Sequence, residues 1–332
     1  MAKVLIYGAG AIGSFLGYLL SEVEGKEEGG KVVPIVESVA LLGRMGHIQR
    51  IREKGLEVAL LEGNRPPSIR FRHCFTDLNE LGRSQFAPEI VVVCVKTHSL
   101  PAVLREIRES GLLEGKLKDA DFVLLMNGMG NKEKFDLSAN HVFEGTTSMG
   151  VVFSDDGKIE LKGRGKTIFE AAMGKDSKKF IKARFEEKGF PVEFAEDFKL
   201  HQWMKLFANA VINPITALTG GKNGIVLSEH LKGVVEKIIA ECVAVASKEG
   251  HQFDELEVLE FVRAVAEMTA ANTSSMLQDV LNGKRTEIDS INGYVLDCAE
   301  KHGLEAPLNE MLYALVKSIE KGESKGLNRH ER

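Results

Sequence analysis

The sequence has 332 residues, 44% of them hydrophobic and 27% charged, which is typical of a soluble globular protein with two domains. Its formal net charge of −5 argues against nucleic acid or an anionic membrane as a partner, because both favour a basic surface. Residues 4–20 carry no charge, but glycines interrupt them, so a buried strand and helix explain them better than a secretory signal. We therefore expect a cytoplasmic protein.

The first half of the chain alternates strand and helix signals. A β-rich run at residues 3–7 precedes a helical run at 12–20, and a second strand is predicted at 38–42. The unbroken apolar runs at 89–95 and 121–126 are typical of parallel strands covered on both faces. Strands separated by helices predict βαβ crossovers and therefore an α/β fold with a doubly wound sheet.

Two segments depart from this alternation. Residues 22–37 are rich in glycine and charge, and we predict an exposed insertion before the second strand. Residues 151–171 have the pattern of successive antiparallel strands joined by turns, the first turn being D-D-G.

Helical patterns replace the strands after about residue 196. Apolar residues recur at i, i+3 and i+4 from Ser228 until Gly250 closes the pattern. Further helices are predicted at about 254–272, 286–301 and 307–321. The sequence thus predicts an α/β domain over residues 1–196 and an all-α domain over residues 197–332.

The cysteines and histidines predict neither a disulfide nor a metal site. The four cysteines lie far apart, and Cys94 and Cys242 stand in apolar runs, which indicates buried, reduced thiols. The nine histidines form no H-E-x-x-H motif and no cluster with cysteine, so we expect no metal ion.

A glycine-rich motif, G-A-G-A-I-G, follows the first predicted strand and opens the first predicted helix. Gly8 permits a tight turn, Gly10 lets a pyrophosphate approach the backbone, and Gly13 lets the helix pack on the strand. The helix N-terminus then faces the phosphates with free N–H groups and the positive end of its dipole. The alternative is a glycine turn required only for packing. The predicted cofactor-binding residues here are Gly8, Ala9, Gly10, Ala11, Ile12 and Gly13.

The end of the second predicted strand distinguishes NAD from NADP. An acidic residue there binds the ribose 2′-hydroxyl, whereas a basic residue suits the 2′-phosphate. The strand ends in L-L-G-R, with Arg44 and no carboxylate, and Glu37 precedes the strand at its other end. Arg44 therefore favours NADPH, with NADH left open, and the alternative is a solvated surface arginine.

Three polar residues recur in an otherwise apolar segment of the second half. Lys205, Asn209 and Asn213 stand at i, i+4 and i+8, so on a helix they form one polar stripe. The residues between them are mainly apolar, which is typical of polar groups that converge on a partly buried ligand. The alternative is an exposed lysine with two asparagines in the helix interior.

A second polar cluster, N-T-S-S-M-L-Q-D followed by G-K-R-T-E-I-D, offers hydroxyl, amide and carboxylate groups to a small substrate. It contains Asn272, Ser274, Ser275, Asp279, Glu287 and Asp289. We expect Asn272 and Ser275 to bind substrate. The alternative is a helix cap and turn, with Ser274 or Ser275 capping a short helix over residues 276–281.

Two polar residues follow neighbouring strands of the predicted sheet. Asn127 comes directly after the strand at 121–126, and Lys96 directly after the strand at 89–95. Ligands of doubly wound sheets bind at the carboxyl ends of the strands, so both residues are candidate ligand-binding residues. The alternative for each residue is that it only forms part of a turn.

These motifs together resemble the ketopantoate reductase (2-dehydropantoate 2-reductase) family over residues 3 to about 310. The resemblance rests on G-A-G-A-I-G, V-K-T-H-S, N-G-M-G-N, G-T-T-S, W-x-K-L-x-x-N-x-x-I-N-P-I-T-A, and S-S-M-L-Q-D with R-T-E-I-D-x-I-N-G, in the family's order. It implies an N-terminal Rossmann-type domain and a C-terminal all-α domain, with the site in the cleft between them. It also implies hydride transfer from NADPH to the C2 ketone of ketopantoate, giving pantoate for pantothenate and coenzyme A biosynthesis.

The resemblance implies catalytic and substrate-binding roles for individual residues. The family's proton-donating lysine corresponds to Lys205, and its cleft glutamate, near ribose and substrate, corresponds to Glu287. Its substrate-binding asparagines correspond to Asn209, Asn213 and Asn223, and its substrate-contacting stretch begins at Ser275.

Other residues match positions that contact the cofactor in the family. They are Lys96, Asn127, which we also expect to bind substrate, and the backbone around Val151. The expected partner is a small-molecule substrate, and the expected oligomeric state is a monomer or homodimer. The alternatives are a related reductase of another branched 2-keto acid and a non-catalytic NADP-binding regulator. The insertion at 22–37 departs from the family and affects the expected contacts around Arg44.

Overall fold

The computed structural model of the protein describes residues 2–22, 24–28, 31–137 and 141–320, with only the backbone described for 24–28 and 31–34. These residues divide into two compact units. One unit consists of the chain up to Met126 together with Asn131–Phe198, and the other consists of Asn127–Gly130 together with the chain from Lys199 onwards.

The first unit contains both strands and helices. In chain order they are β1 (Val4–Tyr7), α1 (Ala11–Leu20), β2 (Glu24–Glu28), β3 (Lys31–Leu42), α2 (Met45–Lys54), β4 (Glu57–Ala59), β5 (Arg70–Phe75), α3 (Leu78–Arg83), β6 (Ile90–Val93), α4 (Leu100–Glu109), β7 (Asp121–Leu125), α5 (Asn131–Lys134), β8 (Val142–Thr147), β9 (Gly150–Asp155), β10 (Lys158–Gly163), β11 (Thr167–Glu170), α6 (Lys175–Glu187) and β12 (Val192–Ala195).

Most of these strands form one sheet. Among the described residues the sheet has nine strands in the order β12-β11-β8-β7-β6-β1-β3-β2, with β5 also paired to β3. The central strand β1 is parallel to both β3 and β6, and β6 is parallel to β7. Val4 and Ile6 pack in one hydrophobic cluster with residues of α1 and α6, whereas Leu5 and Tyr7 pack in another with residues of α3 and α4. Helices therefore cover both faces, and the predicted doubly wound α/β fold is confirmed.

The prediction that residues 22–37 precede the second strand is wrong. The second strand, β3, begins at Lys31 rather than at residue 38, and β2 pairs with it in antiparallel register, from Glu24 opposite Ile35 to Glu28 opposite Lys31. A run rich in β-branched residues at 32–36 explains the extended backbone. Residues 23, 29 and 30 lie outside the described part of the chain.

The prediction for residues 151–171 is correct only for its first hairpin. β9 and β10 are antiparallel and belong to a small second sheet with β4. β11 joins the main sheet instead, antiparallel to β8 and parallel to β12. Phe169 of β11 accounts for this, because its buried ring packs against those of Phe185 and Phe194.

The second unit is helical, which confirms the predicted all-α character of the C-terminal part. Its helices are α7 (Phe198–Thr219, within this unit from Lys199), α8 (Lys232–Lys248), α9 (Glu255–Met268), α10 (Ser275–Leu281), α11 (Asn292–His302) and α12 (Pro307–Glu320). The helix predicted at 286–301 begins only at Asn292, because Ile288–Ser290 form a short 3-10 helix and Ile291 leaves the helical region with φ −108° and ψ −93°. Within residues 2–22, 24–28, 31–137 and 141–320, no helix is long and apolar enough to cross a bilayer.

All four cysteines are free thiols. Cys242 is fully buried, as predicted, and burial raises the pKa of its thiol to about 12. Cys94 is only partly buried, since it follows the last residue of β6 rather than lying inside the strand.

Candidate active site

Helix α7 carries the polar stripe and continues without a break through Pro214. Proline has no N–H, so the carbonyl of Ala210, four residues earlier, loses its helical hydrogen bond. The side chain of Asn292 replaces that bond, with Nδ2 donating to the Ala210 carbonyl at 3.1 Å. The same Nδ2 also donates to Asn309 Oδ1 at 2.9 Å. Asn292 of the I-N-G motif therefore gives the Ala210 carbonyl a partner at the turn of α7 where Pro214 supplies no N–H.

The predicted stripe lies on this helix. Lys205 and Asn209 are partly buried, and Asn213 is 6% exposed. Leu206 and Phe207, which follow Lys205, are buried in the hydrophobic core of the unit. The interpretation of Lys205 as a solvated surface lysine is therefore wrong.

Asn127 lies between Lys205 and Glu287 and hydrogen-bonds to both. The Lys205 ammonium donates to Asn127 Oδ1 at 3.0 Å, and Asn127 Nδ2 donates to Glu287 Oε2 at 2.9 Å. Glu287 is 5% exposed. The two contacts fix the orientation of the amide, because an ammonium needs an acceptor and a carboxylate needs a donor. Three residues far apart in sequence thus form one chain of polar groups within the second unit.

A close backbone approach brings Asn127 to Glu287. Gly128, with φ +76°, lies so near Ser290 that a Cβ at this position would be 2.3 Å from the Ser290 carbonyl oxygen. The N–H of Met129 donates to that same carbonyl at 3.0 Å. The sequence alone did not indicate Met129 and Ser290 as positioning residues. The available signal was the glycine directly after the predicted site residue Asn127, since such a glycine often marks a close backbone approach.

Lys205 has a lowered pKa. Burial disfavours its charged form and lowers the pKa from 10.5 to about 8, while the negative charge of Glu287 acts in the opposite direction. An amine with this pKa is mostly protonated at neutral pH, and it gives up its proton far more readily than an exposed lysine does.

Asn223 and Asn272 meet at the end of α7. The Asn223 N–H donates to the Asn272 carbonyl at 3.0 Å, and Asn223 Nδ2 donates to Thr269 Oγ1 at 3.0 Å. Asn223 is 9% exposed, yet its Oδ1 is a buried oxygen to which no atom of the described residues donates a hydrogen bond. Leaving such an acceptor unsatisfied costs about 1–3 kcal/mol, so this oxygen suits a ligand hydroxyl. The Asn272 side chain is exposed.

The predicted cap of α10 is confirmed. Ser274 is the N-cap, and its Oγ accepts from the Leu277 N–H at 3.1 Å. The same Oγ lies 2.6 Å from Thr216 Oγ1 of α7. Ser275 is the first residue of α10 and is exposed. Ser274 thus has a structural role as the cap of α10, whereas Ser275 is exposed to solvent.

The glycine motif of the first unit forms a tight turn between β1 and α1. Gly8 has φ +102°, and a Cβ there would be 2.7 Å from the Cys94 carbonyl oxygen. A Cβ on Gly13 would be 2.2 Å from the Gly8 carbonyl oxygen, whereas one on Gly10 would have no atom within 4 Å. Gly13 is therefore required for packing, and the space in front of Gly10 is open. The first-turn N–H groups of α1, at Ala11, Ile12 and Gly13, have no partner within the helix and suit an anion.

The remaining predicted cofactor residues lie elsewhere in the first unit. Arg44 is exposed at the N-cap of α2, and its guanidinium lies 5.6 Å from the centre of the Phe153 ring. Lys96 follows β6 and Val151 lies in β9, and both are partly buried. Glu37 lies within β3, not before it, and accepts a hydrogen bond from Arg72 at 2.8 Å. No group of three or more His, Cys, Asp or Glu in the described part of the chain is arranged to hold a metal ion.

Comparisons with known proteins agree over nearly the whole chain. The family model described as ketopantoate reductase PanE/ApbA matches residues 4–174, and the model of its C-terminal domain matches residues 197–320. A Pyrococcus horikoshii protein named 2-dehydropantoate 2-reductase is 33% identical over 322 residues, covering 96% of this chain and 97% of that protein.

Solved structures share the fold. A PanE/ApbA family ketopantoate reductase from Ralstonia eutropha superposes with a TM-score of 0.81 at 26% identity, covering 97% of this chain and 99% of that one. D-mandelate dehydrogenase, solved with NADH and anilino(oxo)acetate, superposes with a TM-score of 0.77 at 23% identity, covering 96% and 98%. At that identity the second likeness concerns the fold alone.

Proposed function

The chain belongs to the ketopantoate reductase family, and we propose that it is an NADPH-dependent 2-dehydropantoate 2-reductase. The reaction reduces the C2 ketone of ketopantoate to the alcohol of pantoate, a step toward pantothenate and coenzyme A. The observation that carries this proposal is the chain Lys205–Asn127–Glu287, in which a lysine with a pKa of about 8 is held by a fixed amide.

The first domain, residues 1–196, fits a dinucleotide. The open space in front of Gly10 and the first-turn N–H groups of α1 suit a pyrophosphate, and a side chain at Gly10 would fill that space. The exposed guanidinium of Arg44 follows β3, where a 2′-phosphate is bound in folds of this type. We assign Lys96, Asn127, Glu287 and the backbone around Val151 to further cofactor contacts.

Lys205 supplies the proton that the reduction requires. When bound, the reduced nicotinamide supplies the hydride for the ketone carbon. Negative charge then develops on the C2 oxygen, and the Lys205 ammonium stabilises this charge and donates a proton to the oxygen. Asn127 holds the Nζ atom by accepting from it at 3.0 Å. Glu287 orients the Asn127 amide and favours the protonated lysine.

The second domain, residues 197–332, supplies polar groups for the rest of the substrate. Asn209 and Asn213 share the helix with Lys205, and we assign them to the substrate together with Asn272 and Ser275. The unsatisfied Oδ1 of Asn223 suits the terminal hydroxyl of ketopantoate, since a buried acceptor needs a donor.

A substrate comparison tests the proposal. Ketopantoate carries a terminal hydroxyl that 2-ketoisovalerate lacks, so a site built for this hydroxyl rejects the analogue strongly. We expect kcat/KM with NADPH to be at least about 100-fold higher for ketopantoate, and Asn223→Leu to reduce that ratio. Equal values for the two substrates would identify a reductase of a different branched 2-keto acid. Dinucleotide binding without turnover of either substrate would contradict the enzymatic assignment.

A further inference from the structure

His47 is a buried side chain of the first unit that the proposed reaction does not use. It lies in α2, is 1% exposed, and hydrogen-bonds on both sides of its ring. Its Nε2 is 2.9 Å from the Oγ of Ser14, a fully buried residue of α1 directly after the glycine turn. The Gly157 N–H, in the turn that joins β9 to β10, donates to Nδ1 at 2.9 Å. One imidazole thus joins α1, α2 and the β9–β10 turn.

The hydrogen bonds define the tautomer of this ring. A backbone N–H can only donate, so Nδ1 accepts and the proton lies on Nε2, which donates to Ser14. Burial lowers the pKa of His47 to about 4; Asp156 raises this pKa and Arg44 lowers it, both by smaller amounts. The ring is therefore neutral at physiological pH, and Nδ1 is always available to the Gly157 N–H.

The β9–β10 hairpin in turn contacts Arg44. The Phe153 ring of β9 lies 4.8 Å from the His47 ring, centre to centre, and 5.6 Å from the Arg44 guanidinium carbon. Gly46 packs so closely on the turn that a Cβ at this position would be 2.6 Å from Asp156 Oδ2. His47 therefore fixes the hairpin against the first turn of α2, and the hairpin provides the aromatic surface on which the guanidinium rests.

We propose that His47 is a positioning residue for cofactor selectivity, which holds the Gly157 turn and the Phe153 ring so that Arg44 is placed for the 2′-phosphate of NADP. This inference rests on the part of the proposed function that assigns Arg44 to the 2′-phosphate. It does not depend on which 2-keto acid is reduced. A long arginine side chain loses rotamer freedom when it binds a phosphate, so a surface that restrains it beforehand increases affinity.

Two substitutions at His47 separate positioning from packing. In His47→Asn the side-chain Oδ1 corresponds to Nδ1 and keeps an acceptor for Gly157. In His47→Gln the amide keeps a group near the Nε2 position but leaves the buried Gly157 N–H without its acceptor. Loss of packing volume alone would harm the smaller Asn more than the larger Gln, whereas the positioning role predicts the opposite order.

The measurement is the dissociation constant for NADP⁺ and for NAD⁺ by titration calorimetry, with no substrate present. We expect His47→Gln to raise the ratio Kd(NADP⁺)/Kd(NAD⁺) about 10-fold. His47→Asn should keep the ratio within about 3-fold of the wild-type value. Phe153→Leu removes the ring that contacts both His47 and Arg44, and we expect a similar rise in this ratio. This variant provides the test if His47→Gln does not fold. His73→Gln is the matched control, because its ring packs on Phe75 and Phe86 and its substitution should leave the ratio unchanged.

Arg44→Ala gives the largest rise in the ratio Kd(NADP⁺)/Kd(NAD⁺) that loss of this guanidinium can cause. If it raises the ratio while His47→Gln and Phe153→Leu do not, or if His47→Gln weakens both dinucleotides equally, the positioning role is overturned. If Arg44→Ala itself leaves the ratio unchanged, the 2′-phosphate assignment fails and the positioning role fails with it. Absence of ketopantoate reduction by the wild-type protein would instead overturn the proposed reaction and leave these binding ratios interpretable.

Discussion

The side-chain oxygen of Asn127 accepts a hydrogen bond from the Lys205 ammonium at 3.0 Å, and the nitrogen of the same amide donates to Glu287. One amide thus contacts both the partly buried ammonium and the buried carboxylate. Burial lowers the pKa of Lys205 to about 8, and the negative charge of Glu287 acts in the opposite direction.

Asn127→Asp tests this arrangement. A carboxylate at 127 would pair directly with the ammonium and raise the pKa of Lys205, so the lysine would become a poorer acid. We expect kcat to fall about 10-fold or more, and the alkaline limb of the pH profile to move to higher pH by about one unit or more. Asn79→Asp, on the exposed side of α3, is the matched control. An unchanged pH profile in Asn127→Asp would show that residue 127 does not influence the pKa of Lys205.

The wild-type pH dependence follows from the same pKa. The acid form of Lys205 exists below its pKa, so kcat/KM for ketopantoate should be retained near neutral pH and should fall as the pH rises through about 8. Glu287 raises this pKa, and Glu287→Gln should therefore move the fall to lower pH. The pH profile of kcat/KM for ketopantoate between pH 6 and pH 10, at saturating NADPH, gives both midpoints. A shift to higher pH in Glu287→Gln would contradict the electrostatic role of Glu287.

The glycine turn offers a contrast between binding and packing. Gly10 has φ −87°, and its Cβ position is open, so Gly10→Ala should fold with an unchanged Tm. Its methyl group would stand where a pyrophosphate approaches, and we expect the Kd for NADPH to rise at least about 10-fold. Gly13→Ala places a Cβ 2.2 Å from the Gly8 carbonyl oxygen and should cost about 1–3 kcal/mol of stability. Thermal unfolding and dinucleotide titration of both variants distinguish the two roles, and a normal NADPH Kd in Gly10→Ala would refute the open-space assignment.

Much of the fold and part of the candidate site follow from local sequence patterns. The strands at β1, β6 and β7 and the helices α1 and α12 were predicted to within two residues, because each has a strong apolar period or a clear start and stop signal. The alignment of Lys205, Asn209 and Asn213 on one helix follows from their spacing alone.

The rest depends on contacts between distant parts of the chain. The placement of β11 in the main sheet depends on Phe169 packing against two distant aromatic rings, which its own segment does not encode. The bridge from Asn127 to Glu287 spans 160 positions, and the hydrogen bonds of His47 span 33 and 110 positions. A lone histidine in a charged helix gives no signal of such contacts.

The bond between Asn292 and the Ala210 carbonyl predicts a stability effect. Asn292→Ala removes the donor that replaces the missing N–H of Pro214, so a buried carbonyl loses its partner. We expect a loss of about 1–3 kcal/mol, measured as a lower midpoint of thermal unfolding. Pro214→Ala restores a backbone N–H to that carbonyl, and in this background Asn292→Ala should cost less. Equal losses in both backgrounds would show that Asn292 acts elsewhere.

The most direct measurement is the loss of reduced-nicotinamide absorbance after NADPH and ketopantoate are mixed with the protein. It compares the wild-type protein, Lys205→Ala and the control Lys237→Ala, which alters an exposed lysine of α8. We predict turnover by the wild-type and control proteins. Lys205→Ala should have a kcat lower by about 10²-fold or more, on the usual magnitude of general-acid catalysis, and should still bind NADPH. Turnover by Lys205→Ala at the wild-type rate would contradict the assignment of this ammonium as the proton donor.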